Sequence, residues 1–373
     1  MVFCSRRQIA TTWIPQCYET VGEAVGAMFP ARATAGWRVA VVALACLAAL
    51  VVSAGEGAGS GETLVGTGST LVAPLLAAWN SDYSAKTGTS ISYTASGSSA
   101  GVAAITARVV DFGASDAPLS ADQFTAAKGV VQIPWALSAT SLAYNIPGVR
   151  GGLRLNSAVI AAIYLGTLHY WDDGAIAKLN TRLTLPHQAI HPVFRVDGSG
   201  DTYALTSYLT TTSPRWSRSV GAGTLVPFPA GTPAKGNSGV AAAIQATGGA
   251  IGYVSVAYAL GNHLPVAAIR NRAGRYATPG IRAIAAAAST LTRVPADNGV
   301  SIVDPPATAP TAYPISTFTY VIVPTHTPKA AALRRFIFYA LTQGQKLGAK
   351  LVFAPIPRLV LVAGEKTLNH IHP

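Results

Sequence analysis

The sequence predicts an α/β fold with largely parallel sheets, and three observations carry that expectation. Strand-like and helix-like stretches alternate along most of the chain. Short Ser/Thr/Gly loops recur where a strand pattern gives way to a helix pattern. The chain has 373 residues, half of them apolar and only 11% charged, enough for two ordinary domains with a real core.

The alternation runs in order. "TLVGTG" (63–68) reads as a strand, and "STLVAPLLAAWNSDYSAKTG" as an amphipathic helix capped by Ser69 or Thr70 and ended by Gly88. "SISYTAS" alternates like a strand, "SSAGVAAITARV" is helical, "VDFGASDAPLS" is a loop and "DQFTAAKG" a short helix. "VQIPWALSATSLAYNIPG" reads as a strand pair. Helix patterns follow in "NSAVIAAIYLG" and "WDDGAIAKLN", where Asp172 and Asp173 look like a helix cap. The rhythm continues through "IHPVFRVDGSG", "DTYALTSYLTT", "SGVAAAIQATGG", "AIGYVSVAYAL" and "GIRAIAAAASTL". "PATAPTAYP" is a Pro-rich connector, "ISTFTYVIVP" a strand, and "PKAAALRRFIFYALTQGQKLGAKL" one long C-terminal helix. No internal repeat is visible.

The N-terminal region has a different character. From Arg38, "RVAVVALACLAALVVSAG" gives a cation, an apolar run over 39–52 and then small residues, the layout of a secretory signal cut after Ala54. The run is short for a membrane span, which needs ~20 residues. Cys4, Cys17 and Cys46 all precede that cut, so the exported chain would carry neither disulfide nor thiol chemistry. Lipidation at Cys46, in "ALAC", ranks second. Residues 1–35 read as a start-site extension, and 55–61 as part of a Gly/Ser-rich linker.

Net charge is +12, which could attract nucleic acid or an anionic surface. No Lys/Arg run of the length of a nucleic-acid patch accompanies it, so no nucleic-acid partner is expected. "GTGSTL" lacks the third glycine and the later acidic residue of a dinucleotide fingerprint. "DGSGD" has Asp where a nucleophile elbow needs Gly. His187 and His191 are four apart, but Pro186 and Pro192 flank them, against a helical metal pair. Neither a catalytic residue, a cofactor nor a metal is expected.

What remains is a binding site. The loops "GTGSTL", "SGSSAG" and "DGSGDT" each sit at the mouth of an expected helix, with Arg195 between the strand and the third loop. In open α/β sheets, ligands bind at the carboxyl ends of strands, where such loops lie. Backbone N–H groups at helix starts favour anions, which makes the nearby carboxylates of Asp197 and Asp201 a puzzle.

Taken together, "GTGSTLVAPLLAAW", "YTASGSSAGVAAI", "VDFGASDAPLS", "LAYNIPG", "IYLGTLHYWDDGAIAKLN", "RVDGSGDTYALTSYL", "KGNSGVAAAIQATGGAIGYVSVAYA" and "YPISTFTYVIV" resemble the substrate-binding component of bacterial Pst-type phosphate ABC transporters. The resemblance covers roughly residues 60–360 and is most specific in "DFGASDAPLS" and "RVDGSG". It looks closest to the actinobacterial branch, where Asp follows the GSG turn. It implies a two-lobed periplasmic-binding-protein fold of type II, with the ligand in the inter-lobe cleft. Lobe 1 would comprise 62–143 and 313–373, and lobe 2 would comprise 144–312, with crossings near Tyr144-Asn145 and Tyr313. It further implies an exported monomer that binds inorganic phosphate and delivers it to membrane permease subunits.

By motif, the resemblance assigns phosphate contacts to Thr70, the N–H of Leu71 (where the family has Phe), Ser98, Arg195, Ser199 and Gly200, with Asp116 as acceptor carboxylate. Asp201 stands where many relatives have Thr; a carboxylate cannot donate as a hydroxyl does. Asp201 is therefore expected to pair with Arg195 and hold its fork, or to act as a second acceptor, unless Asp197 does the bracing. Phosphate keeps a proton at neutral pH and sulfate does not, so a carboxylate in the site can accept rather than repel. A phosphate-ester hydrolase and a surface adhesin or antigen are the alternatives on the same fold.

Overall fold

The computed structural model describes residues 61–373. The signal segment, the cysteines, residues 1–35 and the linker up to residue 60 lie outside the described residues.

Eleven strands and twelve α-helices are distributed over these residues. The first half-sheet is built from β1 (Thr63–Gly68), β2 (Ser90–Ala95) and β3 (Phe112–Ser115), connected by α1 (Ala73–Thr87) and α2 (Ser98–Thr106). After α3 (Ala121–Ala127) comes β4 (Val130–Asn145). Next are β5 (Arg154–Leu155), α4 (Ser157–Tyr164), α5 (Gly174–Ala177), β6 (His191–Arg195), α6 (Gly200–Thr212) and α7 (Pro214–Ser219). Then follow β7 (Thr232–Ala234), α8 (Gly236–Ala246), β8 (Ala250–Ser255), α9 (Val256–Gly261), β9 (Ala268–Arg270), β10 (Tyr276–Ala277) and α10 (Ile281–Ala288). The chain closes with β11 (Ser316–Pro324), α11 (Ala330–Leu341), a 3₁₀ segment (Gln343–Leu351) and α12 (Arg358–Leu368).

The large sheet has eight strands in the order β2-β1-β3-β11-β4-β8-β6-β7, and β10-β9-β5 form a small second sheet. The flanks of the large sheet are parallel as expected: β2, β1 and β3 on one side, and β8, β6 and β7 on the other. The centre is antiparallel, because β11 runs against both β3 and β4, and β4 against β8.

The expected strand pair at 131–148 is instead the single 16-residue strand β4, Val130–Asn145. It pairs with β11 up to Ala139 and with β8 from Thr140 onward, so one continuous strand serves both halves of the sheet. Strands typically run about 5–6 residues, which is why so long an apolar stretch reads as two. The expected long C-terminal helix also breaks. A Cβ at Gly344 would lie 2.7 Å from Trp79 Nε1, and that indole donates to the Gly344 carbonyl at 2.9 Å. Close approach of the chain to Trp79 at this point goes with the tighter 3₁₀ turn, and α12 forms only after Pro357.

Each half has its own aromatic group. Trp79, Trp135, Phe112, Phe336 and Tyr83 pack edge-on or tilted in the first. Tyr164, Trp216, Phe228 and Tyr253 form the second, with Phe228 stacked on Tyr253 and the other pairs tilted or edge-on. Each aromatic side chain buries about 150–250 Å², worth roughly 4–6 kcal/mol of transfer free energy. The two aromatic groups belong to one continuous hydrophobic core that runs through both halves of the sheet.

The helix starts follow local chemistry. Ser120 and Gln123 form a reciprocal capping box on α3, and Asn156 caps α4. Asp173 caps α5, as expected. The expected Ser69/Thr70 cap of α1 is displaced: the cap position is Val72, without a side-chain bond. Ser69 Oγ instead accepts from the N–H groups of Leu71 and Val72 and turns its proton elsewhere. Gly88 ends α1 in the left-handed conformation, as its position suggested.

Candidate functional site

The three Ser/Thr/Gly loops follow β1, β2 and β6, on either side of β4, and converge with the turn after β3 that carries Asp116. Gly68 makes the first approach possible: its φ is +137°, and a Cβ there would lie 2.0 Å from the Ala114 carbonyl. The chain can then turn Ser69 toward Asp116 at the end of β3. Gly200, first residue of α6, brings the third loop in; a Cβ there would lie 2.3 Å from the Asp116 Cβ. The third loop can therefore lie against the Asp116 turn only because position 200 has no side chain.

Arg195 ends β6, and its side chain is buried. Its backbone N–H donates to Tyr253 Oη at 2.8 Å. Nε donates to Asp197 Oδ1 at 2.7 Å, and one terminal nitrogen donates to Asp197 Oδ2. The other terminal nitrogen reaches Asp201 Oδ2 at 3.3 Å. Both aspartates therefore brace the guanidinium, Asp197 along its side and Asp201 at its end. Burial works against the cation, but the Asp197 hydrogen bonds and both negative charges outweigh it and raise its pKa. Asp197 is held below the usual carboxylate range: burial alone would raise it, yet Arg195 and the Gly236 N–H at 3.0 Å overcome that cost.

Asp116 is the second buried charge centre. Ser69 Oγ donates to both its oxygens at 2.7 Å, Thr319 Oγ1 to Oδ1 at 2.6 Å, and Ser98 Oγ lies 3.4 Å from Oδ2. Thr319 lies on β11 where the register with β4 shifts by one residue, a bulge that re-aims the local side chains. Burial, and then the neighbouring Asp201, push the Asp116 carboxyl up to about 7. Burial raises Asp201 as well. Two carboxylates in one dry site resist ionising together, and the charge of Asp201 adds to burial in holding the proton on Asp116.

The remaining residues close the network. Ser98 Oγ accepts from the N–H groups of Gly200 at 3.0 Å and Asp116 at 3.2 Å. Ser199 caps α6 by accepting from the N–H groups of Asp201 and Thr202. Thr70 Oγ1 accepts from Asn237 Nδ2 at 2.8 Å, and the Leu71 N–H donates to Ser69 Oγ at 3.0 Å. Thr70, Leu71, Ser98, Asp116, Arg195, Ser199, Gly200 and Asp201 thus belong to one connected network. Trp171 and Asp172 are not part of it. His187 pairs with Asp172 and stacks on Tyr170, away from His191, which begins β6. Among the described residues no cluster of His, Cys, Asp or Glu could hold a metal ion. A groove of about 640 Å³ between α11 and α12, lined by Arg334, Arg335, Phe338 and Glu365, shares none of the network residues.

Comparison with known proteins gives this arrangement a family. The model of the PBP superfamily domain matches residues 53–343. The phosphate-binding protein PstS of Xylella fastidiosa is 38% identical over 296 residues, covering 78% of this chain and 81% of that protein. The chain belongs to the PstS family of phosphate-binding proteins. PstS 3 of Mycobacterium leprae is 32% identical over 332 residues, covering 83% of this chain and 89% of that protein. The solved structure of a high-affinity periplasmic phosphate-binding protein, PfluDING, bound with phosphate, superimposes with a TM-score of 0.67 over 83% of this chain and 99% of that chain. At 20% identity, that likeness speaks to the fold, the two-lobed one of periplasmic binding proteins.

In this PstS chain, sequence reasoning missed the residues that hold the aspartates. Thr140 Oγ1 donates to Asp201 Oδ1 at 2.6 Å, and Asn237 Nδ2 donates to Asp201 Oδ2 at 2.7 Å. Ser69 and Thr319 do the same for Asp116. Asn237 had a weak local signal, a buried polar residue at the second position of a helix in "KGNSGV". Thr140 and Thr319 had none, because strand hydroxyls look alike until the sheet order is known.

Proposed function

We propose that this protein binds inorganic phosphate between its lobes, outside the cytoplasm, and passes it to the membrane subunits of an ABC importer without chemical change. The observation that carries the reading is one buried arginine, braced by two aspartates, facing a buried acceptor carboxylate among helix-start N–H groups. The arginine supplies charge-assisted donors for a tetrahedral oxyanion. Thr70, Ser98, Ser199 and the N–H groups of Leu71 and Gly200 supply neutral ones. Donors that bond to one another here would turn to phosphate oxygens on binding, leaving the count of satisfied groups nearly unchanged.

Asp116 gives the selectivity. A carboxylate accepts only, so it fits an anion that carries a proton and opposes one that does not. Asp201, already accepting from Thr140, Asn237 and Arg195, acts chiefly as a brace. We take lobe 1 to hold β1, β2, β3 and β11, and lobe 2 to hold β6, β7 and β8, with β4 passing between them. Export through the signal segment ending at Ala54, an unlipidated monomer and the absence of turnover belong to the same reading.

Titration of the purified protein with phosphate, sulfate and arsenate tests the reading. Stoichiometric binding of phosphate and arsenate, no sulfate heat and no release of phosphate from esters are expected. Sulfate binding comparable to phosphate, or ester turnover, would refute it.

A further inference from the structure

Asn237 is fully buried at the start of α8, between loops that come from opposite halves of the sheet. Its Oδ1 accepts from the backbone N–H of Ser255 at 2.7 Å. A backbone N–H can only donate, so the orientation of the side-chain amide is fixed: oxygen toward Ser255, NH₂ toward the site. Its two N–H groups are then divided. One goes to Thr70 Oγ1 at 2.8 Å, behind β1, and the other to Asp201 Oδ2 at 2.7 Å, on α6.

This division has a consequence for Thr70. A hydroxyl has one proton and two lone pairs. Asn237 donates to one lone pair, and the Thr70 proton has no acceptor among the described protein atoms. The proton is therefore left to an incoming anion, and Thr70 cannot instead present a lone pair toward Asn237's NH₂ and another toward the ligand without facing oxygen with oxygen. Asp201 is fixed by the same amide, which keeps the carboxylate at the end of the Arg195 fork.

We propose that Asn237 is a positioning residue for phosphate: it sets Thr70 as a hydrogen-bond donor to the ligand and clasps the two lobes together when the site is closed. The proposal rests on the phosphate-binding reading above and adds a residue that touches no phosphate oxygen itself. A residue that merely stabilised α8 would affect thermal stability; one that works through Thr70 must couple to Thr70 in binding.

The test is a double-mutant cycle on the purified protein, with Asn237→Ala and Thr70→Val, singly and together, titrated with inorganic phosphate and followed for phosphate release. Thr70→Val keeps the volume and removes the hydroxyl. Each single variant should bind phosphate about 10- to 100-fold more weakly, the loss expected for a hydrogen bond to a charged group. The loss should lie mostly in faster release. The double variant should be no more than about threefold weaker than the weaker single variant, because both act through one bond. Asn237→Ser repeats the cycle should the alanine variant not fold. Wild-type affinity in either single variant, losses that multiply in the double, or a fall in thermal midpoint with affinity unchanged would each overturn the proposal. A wild type that does not bind phosphate would overturn the functional reading and this one with it, whereas a binding wild type with unchanged Thr70→Val overturns this one alone.

Discussion

Asp116, Asp201 and Arg195 divide the electrostatic work at the residue scale. Asp116 carries a carboxyl raised to about 7, against an ordinary value of about 3.9. The sign follows from linkage. The folded state holds this proton more tightly than the unfolded one, so Asp116 contributes a loss of stability as pH rises from about 4 to about 7. Ligand-free protein should therefore lose thermal stability across that window more steeply than Asp116→Asn, and at pH 8 the variant should be the more stable by roughly 1–3 kcal/mol. Melting both proteins at several pH values checks this; parallel curves would place the carboxyl's titration elsewhere. Arg195→Ala should weaken phosphate binding by about 2–5 kcal/mol, since it leaves buried carboxylates unpaired. Calorimetry on folded Arg195→Ala measures it, and unchanged affinity would remove Arg195 from the site. Asp201→Thr should alter the phosphate-to-sulfate ratio less than Asp116→Asn, because Asp201 is saturated by Thr140, Asn237 and Arg195.

At the scale of elements, the helix mouths and β4 matter most. Gly200 lets α6 come against Asp116, so Gly200→Ala should obstruct the closed arrangement while leaving each half of the sheet intact. Phosphate affinity should fall at least about tenfold, or about 1.4 kcal/mol, with little change in the ligand-free melting temperature. Equal losses of affinity and stability would mean that Gly200 serves the fold instead. The loops were legible because their signals are local: Ser, Thr and Gly before a helix, Arg195 at a strand end, and Gly88 as a left-handed stop. Asn237, Thr140 and Thr319 were not, since their partners lie 36, 61 and 203 residues away along the chain. Only the sheet order brings them together. The same limit hid the continuity of β4, where partners change at Ala139/Thr140 with no turn in the chain. It also hid the break at Gly344, which depends on Trp79, 265 residues away.

At the scale of the whole molecule, β4 runs through both halves of the sheet, and a braced arginine and a raised aspartate lie where the halves meet. Such an architecture gains binding free energy only when both halves engage the ligand, which makes selectivity a property of the closed site. The central claim is that Asp116 reads the proton on phosphate. Its most direct test is calorimetric titration of the wild type and Asp116→Asn with phosphate and sulfate at pH 8, above the value of about 7 to which the Asp116 carboxyl is raised, so that it acts as an acceptor. The wild type should bind phosphate tightly and sulfate negligibly, with discrimination that can reach roughly 10⁴–10⁵ for a site built around one hydrogen bond. Asp116→Asn, which can donate through its NH₂, should narrow that ratio. A ratio left intact in Asp116→Asn but collapsed in Asp201→Thr would contradict that claim and assign the proton to the other aspartate.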